Sequence, residues 1–173
     1  MAKEAAVAFV EVLGRGSFEW AGALKAFARE ALAGGVRNFV FDLRSCTGMD
    51  STFMGIVAGL AGQVKRLDGA VYMSGGNEHT QRLLRTLGLD RVVRVTPVDE
   101  LPADWARRLG RGIPKESLDQ PAESRLERAE NVLAAHEMLV EVFDDNRPKF
   151  EDVLTYLRDD VRRARQNPPE PAP

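Results

Sequence analysis

Asp50-Ser51-Thr52 is the stretch whose residue types and order could do regulatory chemistry. It holds a carboxylate followed by two hydroxyls, and it opens a second apolar run just behind the apolar run of residues 36–43. Asp50 stands where a helix N-cap belongs, which puts Ser51 on the first turn. That turn carries free backbone N–H groups and the positive end of the helix dipole. A phosphoryl group on Ser51 would add roughly −1.5 to −2 charges there. The helix end accommodates that charge, with Asp50 partly opposing it, and the modification changes an exposed ridge as a reversible binding switch requires.

Other chemistry has less support. His79 falls on the first turn of a surface helix, and His136 lies inside an apolar stripe, where a hydrogen-bonded core histidine is expected. Cys46 follows a strand without a basic partner to lower its pKa. Gly75-Gly76 before Asn77 reads as a turn and an N-cap before it reads as a phosphate cradle. No Gly-x-Ser-x-Gly elbow, Walker loop or Cys/His metal spacing occurs, so no enzyme, metal or cofactor is expected.

The elements that must position Ser51 follow from the apolar periodicity. Residues 7–13 form a β-prone run that stops at Gly14-Arg15-Gly16-Ser17. Ser17 then caps a helix carrying Trp20, Leu24, Phe27 and Leu32, which Gly34-Gly35 ends. Residues 36–43 are a buried strand, and the Ser51 helix runs to about Leu67. In it Gly55, Gly59 and Gly62 each cost about 1 kcal/mol of helix propensity, which points to close approach by a strand or a partner. A strand over residues 70–73, a helix with Leu83, Leu84 and Leu87 stopped by Gly88, and a strand over 91–95 complete the series. The alternation β-α-β-α-β-α-β predicts an α/β layer around a central sheet of about four strands. A receiver-type domain would need paired acids after the first strand and a late lysine, and neither is visible.

Residues 1–98 make this domain, and 99–121 read as a linker with a short helix near Trp105. From 122 to 166 two amphipathic patterns flank Asp144-Asp145-Asn146-Arg147-Pro148. The first stripe holds Leu126, Ala129, Leu133, His136, Val140 and Phe143, widened by Val132 and Leu139. The second holds Phe150, Val153, Leu154, Leu157, Val161 and Ala164. A helical hairpin is predicted, packed on itself, on the α/β domain or on another chain. Residues 167–173 are proline-rich and expected to be disordered.

Composition narrows the classes. The 173 residues suffice for one domain with a core, and 44% hydrophobic with 29% charged is ordinary for a soluble protein. A net charge of −2 gives no global nucleic-acid signal. Eight basic against four acidic residues between Arg82 and Lys115 suit a solvated surface, with an acidic protein partner as the alternative. Arg158, Arg162, Arg163 and Arg165 suit the end of a helix dipole before nucleic acid. One cysteine excludes an internal disulfide. With no signal-peptide core at the start and no apolar run near 20 residues, a cytoplasmic protein without a membrane or nucleic-acid partner is expected.

Asp42 to Gly55 resembles the signature of STAS domains, the fold of bacterial anti-sigma factor antagonists. There an Asp-Leu at a strand end is followed, after a short loop, by Asp-Ser-Ser/Thr-Gly-Leu/Met-Gly. The opening strand, the helix after Ser17, the Gly69 turn and the ending from Leu83 to Val93 agree in order and spacing, over about residues 5–98. The resemblance implies a non-enzymatic partner-switching protein. It implies that Ser51 is phosphorylated by an anti-sigma factor that is also a serine kinase, with Thr52 as secondary acceptor, and that a PP2C-type phosphatase reverses this. The implied partner-binding residues are Asp42, Asp50, Ser51, Thr52, Phe53 and Met54. Phe53 stands where the pattern has glycine, adding bulk on an exposed first turn, and Gly14-Arg15-Gly16-Ser17 stands where it has Gly-x-Leu/Phe-Asp. The alternative is a constitutive STAS scaffold whose hairpin mediates homo-oligomerisation, with Ser51 only a cap.

Overall fold

A computed structural model describes residues 6–112, 117–120 and 122–166. Residues 167–173, the expected disordered tail, lie outside these. Four strands form the main sheet: β1 (Ala6–Glu11), β3 (Val36–Asp42), β5 (Ala70–Ser74) and the short β6 (Arg94–Val95). Their order is β1-β3-β5-β6 and every pairing is parallel. Parallel neighbours need crossover connections, which α1 (Ala21–Ala33), α2 (Ser51–Lys65) and α3 (Glu78–Thr86) supply.

Strand β3 reads as a continuous apolar run because it is covered on both faces. Phe39 and Phe41 point into a core shared with Leu24 of α1 and Val57, Ala61 and Val64 of α2. Val40 points the other way, toward Leu101 and Leu109, with Phe9, Tyr72 and Trp105 around them. Leu109 and Trp105 belong to α4 (Ala103–Arg111), the short helix expected near Trp105, which covers the sheet's second face.

A second, two-stranded parallel sheet pairs β2 (Gly14–Gly16) with β4 (Cys46–Met49). The sequence reading had turn and loop in both places. Gly14–Gly16 and Cys46–Met49 are too short to show strand periodicity, and their pairing follows from β1 and β3 delivering the two segments side by side. The last strand is also shorter than expected, because a 3-10 turn at Leu89–Arg91 takes up its start.

The C-terminal pair is α5 (Arg125–Val142) and α6 (Arg147–Gln166), joined by a 3-10 turn at Asp144–Asn146. Ser124 caps α5 in a reciprocal box with Glu127. Of the three surfaces open to this hairpin, it takes two. One side of α5 carries Ala135 and Leu139 into the main core, and the helix packs along α2. The other side meets α6, whose Leu154, Leu157, Val161 and Ala164 are buried. No helix among the described residues is long and apolar enough to cross a membrane.

Candidate functional site: the Ser51 turn and the helix seated on it

Asp50 caps α2 with its side chain, Oδ1 accepting from the Phe53 amide at 2.9 Å. Its second oxygen accepts from the Phe18 amide at 2.7 Å, and its own N–H donates to the Gly16 carbonyl at 2.9 Å. One aspartate therefore fixes the start of α2 to the turn after β2. It leaves Ser51 at the first helical position with a side chain free to face outward from the sheet.

What Ser51 faces is α5. Its Oγ lies 2.9 Å from Nε2 of His136. The other ring nitrogen, Nδ1, is 2.8 Å from the Val132 carbonyl, which can only accept. Nδ1 therefore carries the hydrogen, and in the neutral ring Nε2 is left as the acceptor for the Ser51 hydroxyl. The imidazole is buried and set edge-on against Phe150, ring centres 5.1 Å apart. His136 is the hydrogen-bonded core histidine the sequence suggested, but its partner is the residue singled out for regulation. Eighty-five positions separate the two, and no local pattern links them.

A serine hydroxyl held by an imidazole is also how a nucleophile meets its base. Here neither of two cavities, of about 600 and 390 Å³, is lined by Ser51 or His136. Among the described residues no group of three or more His, Cys, Asp or Glu side chains is placed to hold a metal ion.

One turn further along α2, Gly55 faces the backbone of Ala135. A Cβ at Gly55 would stand 2.6 Å from the Ala135 carbonyl carbon and 2.7 Å from its Cα, closer still to the oxygen. Gly59, another turn on, faces the Met138 side chain at 3.9 Å, and Gly62 faces open space. Of the three glycines only Gly55 marks a close approach, and the approaching element is a helix of the same chain.

The neighbours of Ser51 lie deeper than an exposed ridge. Thr52, Phe53 and Met54 are 5%, 4% and 3% exposed, so none of the three offers its side chain to a partner in this conformation. Phe53, expected on an exposed turn, points into the core, edge-on to Phe41 with centres 6.4 Å apart. It fits because Gly16 has no side chain: a Cβ there would meet the Phe53 ring at 2.9 Å. Gly16 and Phe53, the two departures from the STAS pattern, thus share one space in this chain.

Asp42 is buried at the end of β3 and paired with Arg44, whose Nη2 lies 2.6 Å from Oδ2 and whose Nε lies 2.9 Å from Oδ1. The same Nη2 donates to the Leu109 carbonyl at 3.0 Å, tying α4 to the strand end. The hydrogen bond to Asp42 raises the Arg44 guanidinium further above its ordinary range. Asp42 is therefore held inside a structural pair, which sequence reasoning had no means of seeing. Burial likewise pushes the Cys46 thiol up, and its Sγ is 3.3 Å from the Gly48 carbonyl. His79 is exposed on α3, and Asn77 caps that helix by accepting from the Thr80 amide.

Comparison with known proteins bears on the fold of residues 2–96. A putative anti-sigma factor antagonist from Thermotoga maritima superposes with a TM-score of 0.52 at 21% identity, covering 59% of this chain and 88% of that one. The anti-sigma factor antagonist SpoIIAA in its unphosphorylated form gives 0.47 at 15% identity, covering 65% of this chain and 96% of that one. At 21% identity the first likeness is one of fold. No curated protein sequence matches the chain. The family model described as "Mlab, STAS domain" matches residues 2–96, which span β1 to β6 and stop short of α4, α5 and α6. This chain belongs to the Mlab STAS-domain family.

Proposed function

We propose that this chain is a non-enzymatic, cytoplasmic partner-switching regulator whose binding to an anti-sigma factor with serine-kinase activity is gated by phosphorylation of Ser51. A PP2C-type phosphatase reverses the modification, and the output is transcriptional. Residues 1–98 act as the switching domain, 99–121 as the link, and 122–166 as an appended hairpin. Family membership and the Asp42–Gly55 signature support the reading. The observation that carries it is the hydrogen bond from Ser51 to His136. The separation of 2.9 Å has room for a hydrogen and none for a phosphoryl group, so modification must change what sits on α2.

The test is phosphorylation by a serine kinase of the anti-sigma factor class, followed by pull-down with Ser51→Ala and Ser51→Asp. The switch requires the two variants to differ in partner binding. If both retain every partner as the wild type does, the switch is lost. A second reading then stands, in which the chain is a constitutive scaffold and Ser51 only ties α5 down. The close fit of Gly55 against Ala135 favours that reading, since it holds the hairpin on the domain.

A further inference from the structure

We infer that α5 is an autoinhibitory occupant of the α2 face running from Ser51 to Gly59, so that docking of the α5–α6 hairpin and attack on Ser51 by a kinase exclude one another. This inference rests on the partner-switching reading above.

Ser51, Gly55 and Gly59 are spaced by four and so share one row on α2. Each meets α5 at a different residue: His136 at the first, Ala135 at the second, Met138 at the third. The contact at Gly55 is backbone against backbone, so α5 cannot slide aside by rotating a side chain. Phosphoryl transfer forms an Oγ–P bond, breaks the γ-phosphate's bond to the departing nucleoside diphosphate, and passes the hydroxyl proton to a base of the kinase. In the docked chain that proton is committed to Nε2 of His136, and the space an incoming phosphorus needs is filled by α5. Transfer therefore requires α5 to lift. Once Ser51 carries its phosphate, the spacing set at Gly55 leaves no room for α5 to return.

The hairpin is built to leave as a unit. Its own seam is separate from the main core: Val140, Leu154, Leu157, Val161 and Ala164 are buried but lie outside the cluster that contains Ala135 and Leu139. Three ion pairs staple α5 to α6, Arg125 to Asp160 at 3.1 Å, Arg165 to Glu130 at 2.8 Å and Arg158 to Glu137 at 3.1 Å. The hairpin is tied to the domain by apolar packing, with Ala135 and Leu139 in the main core and Met138, Val142 and Phe150 against it, and by three polar contacts. Lys25 donates to Asn131, Asn146 Nδ2 donates to the Leu87 carbonyl at 2.9 Å, and Lys149 donates to the Thr86 carbonyl at 2.9 Å.

The test uses the full chain with Gly59→Cys and Met138→Cys, a pair that faces across the seat, oxidised to lock α5 down. A serine kinase of the anti-sigma factor class with ATP is the probe, and Ser51 phosphate is read by mass spectrometry. The locked chain should be phosphorylated at least about tenfold more slowly than the same chain reduced, because the rate follows the fraction of open molecules. Gly55→Ala, which wedges α5 away, should be phosphorylated faster than the wild type. Equal rates in the locked and reduced chains would overturn the inference and leave the switch itself standing. No phosphate on Ser51 in the reduced or wild-type chain would remove the switch and this inference together.

Discussion

Replacing Gly55 by alanine sets two effects of opposite sign against each other in one methyl group. In a helix interior alanine is favoured over glycine by about 1 kcal/mol, and α2 gains this whether or not α5 is present. In the docked chain the methyl lands 2.6 Å from the Ala135 carbonyl carbon and 2.7 Å from its Cα. Carbon atoms rest at roughly 3.5–4.0 Å, so the two backbones must separate by about 1 Å. Overpacking costs about 1–3 kcal/mol, and a clash with backbone belongs at the upper end because no rotamer relieves it. Separation also stretches the bond from Ser51 to His136, worth about another 1 kcal/mol. Docking of the hairpin should therefore weaken by about 4 kcal/mol, roughly a thousandfold, while the domain without it gains about 1 kcal/mol. Hydrogen exchange separates the two. Amides of α5 and α6 should exchange faster in Gly55→Ala, and those of β3 and α2 should hold or gain protection through global unfolding. If α5 keeps wild-type exchange while the urea midpoint rises by the amount expected from propensity alone, α5 does not rest on Gly55.

The space shared by Gly16 and Phe53 predicts strong coupling. Phe53→Gly alone should cost at least about 3–5 kcal/mol and Gly16→Leu alone about 1–3, while the double variant should recover more than 1 kcal/mol of the sum in urea melts. Simple additivity would mean that the two sites do not share a space. Arg44→Ala should destabilise by about 2 kcal/mol, a figure kept low because the Arg44 side chain is 46% exposed. It should also speed exchange at the end of α4, whose Leu109 carbonyl loses its donor; unchanged α4 exchange would count against that tie. Hydrogen bonds from the Ser124 backbone and side chain hold the Glu127 carboxyl below its ordinary value of 4.5. A carboxyl whose folded pKa is depressed stabilises above its unfolded pKa, and that contribution fades as pH falls through 4.5 and below. The first turn of α5 should accordingly fray on acidification, and Glu127→Gln should flatten the pH profile of its amide exchange.

The strand–loop–helix order around Ser51 was legible because each boundary carries its own local chemistry. Asp50 accepts from the amide three residues on, Asn77 does the same for α3, and the apolar run of β3 is long enough to be covered on both faces. What escaped the sequence depends on contacts far along the chain. The pairing of Gly14–Gly16 with Cys46–Met49 is set by the strands that precede each segment, so the residues themselves need no β preference. Phe53 looked exposed because first-turn positions usually are. Its inward orientation follows from the missing side chain of Gly16, thirty-seven positions earlier. The α5 stripe was half right: Ala129, His136, Leu139 and Val140 are buried, but Ala135 is too. A helix covered on two sides spreads its apolar positions around the axis, and a single-stripe template finds only part of them.

These two glycine contacts flank Ser51 on opposite sides and act on it together. Gly16 lets Phe53 turn inward, which removes from the surface the bulk that the first turn would otherwise show to a partner. Gly55 lets α5 come close enough for His136 to hold the Ser51 hydroxyl. Without the first, a phenylalanine on the outer face of the turn would hold α5 away. Without the second, an inward Phe53 would leave Ser51 open to solvent. A chain with both has a serine that α5 covers in the docked arrangement, on a turn whose own shape is set by Gly16 and Phe53. Under the proposed switch, the element that decides access to Ser51 lies in residues 122–166, outside the span the STAS family model matches, so a partner that grips the hairpin would govern the serine without touching α2.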